Sequence, residues 1–214
     1  TAGELVFAQA WQLMFMPPWN EHGWRGDMTR RTLHEAGVHL IDFLIALFGE
    51  LPHSVSGTMS SGGLRNDESD AVCVVTLEFS RGRMAQLIQN RLCKGETHYF
   101  EVRADTTNAS YRASFGGRAR VTTGLHRSTV PHLRVDYGVS GIAWQEKGTT
   151  RTFLARNPRD PRTVATRLVL EQTIAAFADG TPPPASGADG RGVLRVIDAC
   201  YQAAASGRRI SIAV

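Results

Sequence analysis

The sequence is short of lysine, of cysteine and of long apolar runs, and each shortage excludes a class of protein. Among its 214 residues, Lys94 and Lys147 are the only lysines, so arginine supplies almost all of the positive charge. The three cysteines are scattered and show no CxxC spacing, which argues against a disulfide framework and against a zinc site. We therefore expect free thiols, a reducing cytoplasmic compartment and no bound metal.

Apolar residues make up 42% of the chain but never form a run long enough to cross a membrane. The longest run, Gly37 to Gly49, is interrupted by His39 and Asp42 and is shorter than the roughly 18 residues that a transmembrane helix needs. No signal or transit peptide is apparent at the N-terminus. The composition is typical of a globular protein that buries its own core, and we expect no membrane partner.

The net charge of +4 does not by itself indicate a nucleic-acid-binding protein. Such proteins collect basic residues on one face or arm, commonly with aromatic residues between them. Here the arginines are spread along the chain, and the tightest groups are pairs such as Arg30-Arg31 and Arg208-Arg209. We expect solvated surface arginines and no nucleic-acid partner, and keep nucleic-acid binding as a third hypothesis.

The order of the predicted elements indicates an α+β fold. A strand over Glu4–Leu13 precedes a loop, and a helix from about Arg31 to Phe48 ends at Gly49, a residue typical of helix C-termini. Alternating and β-branched segments then predict a series of strands, followed by two helices and a closing strand. The strands cover His53–Ser60, Ala71–Phe79, Arg83–Leu92, Thr97–Ala104, Ala109–Phe115, Arg118–Thr123, Val139–Lys147 and Thr149–Ala155; the later elements are an amphipathic helix at Thr163–Phe177, a helix at Gly190–Ala205 and a strand at Arg209–Val214.

Consecutive strands with helices segregated at the ends predict an open, predominantly antiparallel β-sheet with helices packed on one face. We expect a single domain over residues 1–214, with loops at Gly124–Arg134 and Pro182–Gly192 and a tight hairpin turn at Ser80-Arg81-Gly82. Because Thr1 is not an initiator Met and a strand begins at Glu4, we also expect that the chain is part of a longer protein.

The first predicted helix carries three ionisable residues on one stripe. Each helical residue advances by about 100°, so Glu35 and His39 lie within about 40° of each other, with Asp42 about 20° to the other side. The rest of the helix is apolar nearly all round, which predicts burial. A buried His beside a carboxylate is either a tuned acid/base pair or a satisfied structural pair. Gly37, inside the helix, indicates close approach of a ligand or of another chain segment.

Two further patterns, one within the helix and one just before it, give weaker evidence of a functional site. His34 and His39 resemble the zinc motif HExxH but are five positions apart, so they point about 140° apart and do not form that site. The segment just before the helix is rich in aromatic residues. Its members His22, Trp24 and Arg25 either line a pocket or pack on the surface.

These residues resemble the C-terminal domain of the Gfo/Idh/MocA oxidoreductases, the relatives of glucose–fructose oxidoreductase and inositol dehydrogenase. The family pattern is roughly W-R, a Gly-rich stretch, D-x-G-x-H-x-x-D, L-x-G and P. The matches run in the family's order and span almost the whole chain. They are Trp24-Arg25, Leu33 to Asp42, Leu47 to Gly49, Pro52, Glu68 to Ala71, Phe79 to Gly82, and a tail from Asp189 to Arg208.

The resemblance implies a substrate-binding and oligomerisation domain that works with an N-terminal Rossmann domain. It implies a sugar, polyol or related carbinol as substrate, with His39 exchanging a proton with the substrate hydroxyl. Glu35 stands where the family has Asp, and Trp24, Arg25 and His22 are the candidate substrate-binding residues. A homo-dimer or tetramer formed through the open face of the sheet is also implied.

The family's dinucleotide fingerprint and its E-K-P lysine are both absent from this sequence. We therefore expect NAD or NADP in a full-length parent, with no cofactor binding and no turnover by this chain alone. The alternative is a stand-alone, non-redox binding or scaffold module of the same fold. The longer side chain of Glu35 and the missing fingerprint motivate that alternative.

Overall fold

A computed structural model of the protein describes residues 2–15, 22–25, 27–62, 70–94, 98–115, 119–122, 132–135, 141–156 and 161–212. Within these ranges the strands and helices follow the predicted α+β order. The strands are β1 (Leu5–Leu13), β2 (Ser54–Ser60), β3 (Val72–Glu78), β4 (Met84–Asn90), β5 (His98–Thr106), β6 (Ser110–Phe115), β7 (Ala119–Thr122), β8 (His132–Val135), β9 (Ile142–Lys147), β10 (Thr150–Arg156) and β11 (Ile210–Ser211). The α-helices are α1 (Val38–Phe48), α2 (Pro161–Asp179) and α3 (Gly187–Ser206).

Nine of these strands form one open sheet, in the order β10-β9-β6-β5-β1-β4-β3-β2-β11. Neighbouring strands are antiparallel, as predicted, with the exception of β1 and β4, which run parallel. β1 therefore lies in the middle of the sheet, between strands far away in sequence. In this parallel pair Gln12 is aligned with Gln89, so both strands end at the same edge.

One face of the sheet is covered by helices because the strands alternate between small apolar and partly polar residues. In β1 the side chains of Ala8 and Ala10 are fully buried, and in β4 those of Ala85 and Leu87 are. Helices α1 and α3 contact each other and pack on this face in one continuous core. The small alanines allow α1 to approach the sheet closely, and the fold class predicted from the sequence is confirmed.

The first helix begins with a π-helical turn, Leu33–Gly37, before α1 continues in α geometry. Its N-terminus is capped by Asp70, which lies two residues before β3: Asp70 Oδ2 accepts hydrogen bonds from the backbone N–H groups of Thr32 (2.6 Å) and Leu33 (3.4 Å). The hydroxyl of Tyr201 in α3 donates to the same oxygen at 2.6 Å. Asp70 thus joins the first helix, the sheet and the last helix.

Helix α1 is less enclosed than its composition predicts. Leu40, Ile41 and Leu44 are fully buried, whereas Leu47 is 38% exposed and Asp42 lies on the exposed side. The helix ends at Gly49, which adopts the left-handed conformation (φ 71°), as expected of a glycine after the last turn. The polar stripe of this helix therefore faces outward.

Helix α2 is confirmed as a helix, but the prediction that it is amphipathic is wrong. Its large apolar side chains are exposed, including Leu170 at 56%, Ile174 at 67% and Phe177 at 70%. The reason is that Leu168, Val169 and Leu170 are consecutive, so they point about 100° apart and no single apolar face results. No helix within the described ranges is both long and apolar enough to span a membrane.

Two turn and loop predictions have different outcomes. Ser80-Arg81-Gly82 connects β3 and β4 as a tight hairpin, and both central residues, Arg81 and Gly82, have positive φ. In contrast, the end of the predicted loop Gly124–Arg134 belongs to a strand, β8, which pairs with β7 in a small separate sheet. β8 is only four residues long, so its polar–apolar alternation is too short to stand out in the sequence. Residues 123–131 and Glu68 lie outside the described residues.

Candidate functional site

A cavity of about 240 Å³ opens at the edge of the sheet where the parallel strands β1 and β4 end. The π-helical turn and the first turn of α1 form its other wall. The lining residues are Gln12, Met14, Arg31, Thr32, Glu35, Ala36, His39, Gln89, Asn90 and Arg91. The two predicted catalytic residues, His39 and Glu35, therefore line the same cavity.

Glu35 is held by two arginines. Its Oε1 accepts a hydrogen bond from Arg25 Nε and its Oε2 from Arg31 Nε, both at 2.8 Å. Each carboxylate oxygen thus has its own guanidinium partner, and neither of these bonds involves His39. Arg31 is i−4 from Glu35, the spacing of a helical ion pair, and it is only 1% exposed.

This arrangement keeps Glu35 ionised. Partial burial acts to raise the pKa of Glu35, but the hydrogen bonds and charges of Arg31 and Arg25 outweigh it and hold the pKa below its ordinary value. A carboxylate with a lowered pKa is a poor proton carrier near neutral pH. Its chemistry is to orient guanidinium groups rather than to exchange protons.

His39 lies on the exposed side of α1 and borders the cavity one turn beyond Glu35. Its exposure leaves the imidazole within reach of a ligand entering from solvent. The π-helical turn changes the angles that a regular α-helix would give, because its hydrogen bonds run over five residues instead of four. π-helical turns occur frequently at functional sites, where they redirect a side chain.

The three upstream candidates have different surroundings. The 3₁₀ turn Gly23–Arg25 places Arg25 beside Glu35. The Arg25 guanidinium also lies 4.6 Å from the centre of the Trp24 ring. Trp24 is itself 61% exposed, so it supports Arg25 from the solvent side. His22 is exposed beside this turn, and none of the three candidates is among the described lining residues of the cavity.

The floor of the cavity contains a buried amide pair. Gln89 Nε2 donates to Gln12 Oε1 at 2.9 Å, and the two side chains are 1% and 3% exposed. Gly37 packs against this pair, because a Cβ atom there would stand 2.8 Å from Gln89 Oε1 and 2.7 Å from Leu33 Cδ2. The close approach that Gly37 indicates is thus made by neighbouring side chains of the protein.

Sequence reasoning missed six polar residues of the cavity: Gln12, Arg31, Thr32, Gln89, Asn90 and Arg91. Gln12 and Gln89 were hidden because they occupy inward-facing positions of strands that otherwise bury apolar residues. The prediction of solvated surface arginines is wrong for Arg31 and Arg91, which are 1% and 3% exposed. The i−4 spacing of Arg31 from Glu35 was the one sequence signal that Arg31 belongs to the site. Arg91 directly follows β4, and only the folded structure brings it to the cavity.

The possible metal ligands within the described residues, including those of the first helix, do not gather into a metal site. Within the ranges described above, no three His, Cys, Asp or Glu side chains come together in a group that could hold a metal ion. The three cysteines are free thiols, with Cys73 and Cys200 buried and Cys93 half-buried. Burial raises the pKa of Cys200 to about 12 and that of Cys73 still further, so both remain protonated core residues.

Comparison with known proteins gives one family and many similar structures. The family described as "Oxidoreductase family, C-terminal alpha/beta domain" matches residues 6–212. No curated protein matches the sequence. The chain is similar to the Caulobacter crescentus aldose-aldose oxidoreductase determined with glycerol, with a TM-score of 0.72, 17% identity and coverage of 98% of this chain and 56% of that one.

Two further structures are similar over almost the whole chain. One is a putative myo-inositol dehydrogenase from Sinorhizobium meliloti (TM-score 0.70, 19% identity, 99% of this chain and 58% of that chain). The other is an oxidoreductase from Agrobacterium radiobacter determined with NAD+, L-tartaric acid and magnesium (TM-score 0.70, 15% identity, 99% and 58%). The chain spans between 56% and 58% of the length of these three structures.

Proposed function

The chain belongs to the Gfo/Idh/MocA oxidoreductase family as its C-terminal alpha/beta domain, and we propose that it is the substrate-binding and oligomerisation half of a larger NAD(P)-dependent enzyme. The proposed substrate is a sugar, polyol or related carbinol. The observation that carries the proposal is the cavity that His39 borders: its lining is largely polar, and within it Glu35 holds Arg31 by a hydrogen bond. The sugar- and polyol-related names of two similar structures support it.

His39 is the proposed proton acceptor. Oxidising a carbinol to a carbonyl removes a hydride from carbon and a proton from the hydroxyl oxygen. A neutral imidazole near pH 7 accepts that proton through a ring nitrogen and returns it in the reverse direction. Exposure of His39 at the cavity rim allows the proton to pass on to water.

Glu35 and Arg25 are proposed as positioning residues. Glu35 uses both carboxylate oxygens to hold Arg25 and Arg31, so it fixes the wall against which a substrate is oriented. Arg25, with the Trp24 ring beside it, contacts Glu35 from outside the described lining of the cavity, and both residues are proposed to contact the substrate. His22 is kept as a more peripheral candidate for substrate binding.

The described residues do not form a dinucleotide cradle. Such a cradle uses parallel strands, with a Gly-rich turn leading from a strand into a helix. Here the sequence that follows β1 and β4, the one parallel pair among the described strands, is not Gly-rich, and the chain holds no GxGxxG fingerprint. We propose that NAD(P), which accepts the hydride when bound, is held by another domain of the parent enzyme, and that this chain alone is inactive.

The uncovered face of the sheet is proposed as the oligomer interface. Trp11, Ile88 and Val74 are aligned across three central strands and point away from the helices. Val74 is 38% exposed there, although it sits in the middle of the sheet. An apolar row on an exposed sheet face is typical of a surface that is covered by another subunit. The free thiols support a reducing, cytoplasmic location.

The proposal is tested in the full-length enzyme by replacing His39 with Ala and, as a matched control of similar size, with Asn. We expect hydride transfer to fall by about 100-fold to 10,000-fold in both variants, while nicotinamide binding is unchanged. Near-normal turnover by His39→Ala would refute the assignment. No contact in the described residues favours the alternative of a non-redox module.

A further inference from the structure

Two glutamine pairs cross the parallel strands β1 and β4, and they differ in how their hydrogen bonds are completed. Gln9 is aligned with Gln86, and Gln12 is aligned with Gln89. In the first pair, Gln9 Nε2 donates to Gln86 Oε1 at 2.7 Å. In the second pair, Gln89 Nε2 donates to Gln12 Oε1 at 2.9 Å, whereas Gln89 Oε1 has no hydrogen-bond partner among the described residues. The pair at the cavity therefore has one unused acceptor.

This acceptor lies deep in the protein. Gln89 is 1% exposed and lines the cavity. A Cβ atom at position 37 would stand 2.8 Å from Gln89 Oε1, so a residue larger than Gly37 would crowd this oxygen. A buried acceptor without a donor costs free energy, and native proteins rarely keep one unless it serves a purpose. An amide oxygen only accepts hydrogen bonds, so the partner that completes it has to carry a donor.

Thr32 supplies a second unpartnered polar atom at the same cavity. Its side chain is buried, at 5% exposure, and its Oγ1 has no hydrogen-bond partner within the part of the chain that the structure describes. Its backbone N–H donates to Asp70 Oδ2 at 2.6 Å, which fixes the residue in place. A hydroxyl group both donates and accepts. Two fixed polar atoms, from a strand and from a helix N-terminus, thus border one cavity without a described partner.

We propose that Gln89 and Thr32 are specificity-determining residues, which bind non-reacting hydroxyl groups of a sugar or polyol. Gln89 Oε1 accepts a hydrogen bond from one ligand hydroxyl, and Thr32 Oγ1 exchanges a hydrogen bond with a ligand hydroxyl. A site of this kind rejects analogues that lack the hydroxyl, because the buried protein group then stays unpaired. The proposal rests on the proposed function for the carbinol that reacts at His39. Its own claim concerns recognition, which is measured without turnover.

The test uses myo-inositol and the analogues in which one hydroxyl at a time is replaced by fluorine, which cannot donate a hydrogen bond. Their affinities for the protein are measured by isothermal titration calorimetry. We expect one of these analogues to bind wild type at least about tenfold more weakly than myo-inositol does. In Gln89→Met, which has a similar length and no acceptor, that analogue and myo-inositol should bind equally. No binding of myo-inositol by wild type, or a difference that persists in Gln89→Met, would overturn the proposal.

Gln86→Met is the matched control for this variant. Gln86 belongs to the same strand and to the same kind of amide pair, but it is not among the described lining residues of the cavity. We expect its affinities for myo-inositol and for the fluorinated analogues to match those of wild type. If Gln86→Met abolishes the difference between the ligands as Gln89→Met does, the effect comes from a disturbed β1–β4 pair and the proposal is wrong.

Thr32 provides an independent readout in case Gln89→Met does not fold. Thr32→Val keeps the shape of the side chain and removes the hydroxyl, so myo-inositol should bind several-fold more weakly, whereas Thr32→Ser should bind it as wild type does. The Tm of Thr32→Val should not fall, because its hydroxyl has no described partner to lose. A lower Tm with unchanged affinity would indicate a structural role and would contradict the proposal.

The two proposals fail separately. Normal turnover by His39→Ala, together with a ligand difference that depends on Gln89, refutes the proposed function and leaves the recognition proposal standing. Loss of turnover in His39→Ala, without any ligand difference that depends on Gln89, has the opposite meaning.

Discussion

Replacing Asp70 with Ala is expected to destabilise the fold strongly, because this side chain joins three parts of the molecule. Asp70 is fully buried, and its Oδ2 accepts hydrogen bonds from Thr32 N and from the Tyr201 hydroxyl, both at 2.6 Å. A third, longer contact comes from Leu33 N at 3.4 Å. Burial and the Asp70 carboxylate raise the pKa of Tyr201, so its hydroxyl keeps the proton that it donates.

The expected magnitude follows from the donors that the change would leave without a partner. A buried donor that loses its acceptor costs about 1 to 3 kcal/mol, and two of the three donors to Asp70 are at short distance. The contact from Leu33 is too long to add much. We therefore expect Asp70→Ala to lower the free energy of unfolding by about 4 kcal/mol, a large part of the stability of an ordinary domain.

The measurement is urea-induced unfolding of wild type, Asp70→Ala, Tyr201→Phe and the double variant, followed by circular dichroism. Tyr201→Phe removes one donor and should cost about 1 to 2 kcal/mol. In the double variant the unpaired hydroxyl is absent, so its cost should be less than the sum of the two single costs. A loss below about 1 kcal/mol for Asp70→Ala, or strict additivity, would refute the idea that Asp70 joins the helices.

Three further changes test other features. Gly37→Ala should lower the free energy of unfolding by about 1 to 2 kcal/mol in thermal or urea melts, because its Cβ would stand 2.7 Å from Leu33 Cδ2; an unchanged stability would contradict the close packing. Arg81→Asn should raise the free energy of unfolding by about 0.5 to 1 kcal/mol, since Arg81 has φ 59° and its ion pair with Glu4 is exposed; a loss of stability would argue otherwise. Because the folded pKa of Glu35 is lowered, the stability difference between wild type and Glu35→Gln should be constant above the ordinary value of 4.5 and vanish as the pH falls through the lowered value; a difference that persists in acid would show that its charge is not responsible.

The elements that follow local patterns were predictable from the sequence. The segment from Ser54 to Asn90 alternates, and its strands β2, β3 and β4 lie within about two residues of their predicted bounds. Gly49 marked the end of α1 because a left-handed residue is needed there. The clustering of His39 and Glu35 at one cavity also followed from their helical spacing, although the π-helical turn did not.

The features that depend on contacts distant in sequence were not predictable. The parallel pairing of β1 with β4 joins segments about 77 residues apart, such as Gln12 and Gln89, and no local pattern encodes it. The same holds for Asp70, which caps a helix 38 residues before it in the chain. Nothing in the local sequence after β4 indicates that Arg91 is buried, because its burial depends on contacts with distant parts of the chain. Helix α2 was predicted to bury an apolar face because it contains many apolar residues, but its large apolar side chains are exposed.

The position of β1 in the middle of the sheet also affects the order in which the strands pair during folding. β5, β6, β9 and β10 form one antiparallel group, β4, β3, β2 and β11 form another, and β1 is the strand that separates and joins them. Apart from β11, each group consists of strands that follow one another along the chain, whereas β1 must pair with both groups by closing long loops, which is slow. Truncation of residues 2–13 would therefore leave two sheets with exposed inner edges, which are prone to pair with other chains. β1 is thus the strand whose insertion completes the sheet and, at its carboxyl end, the cavity.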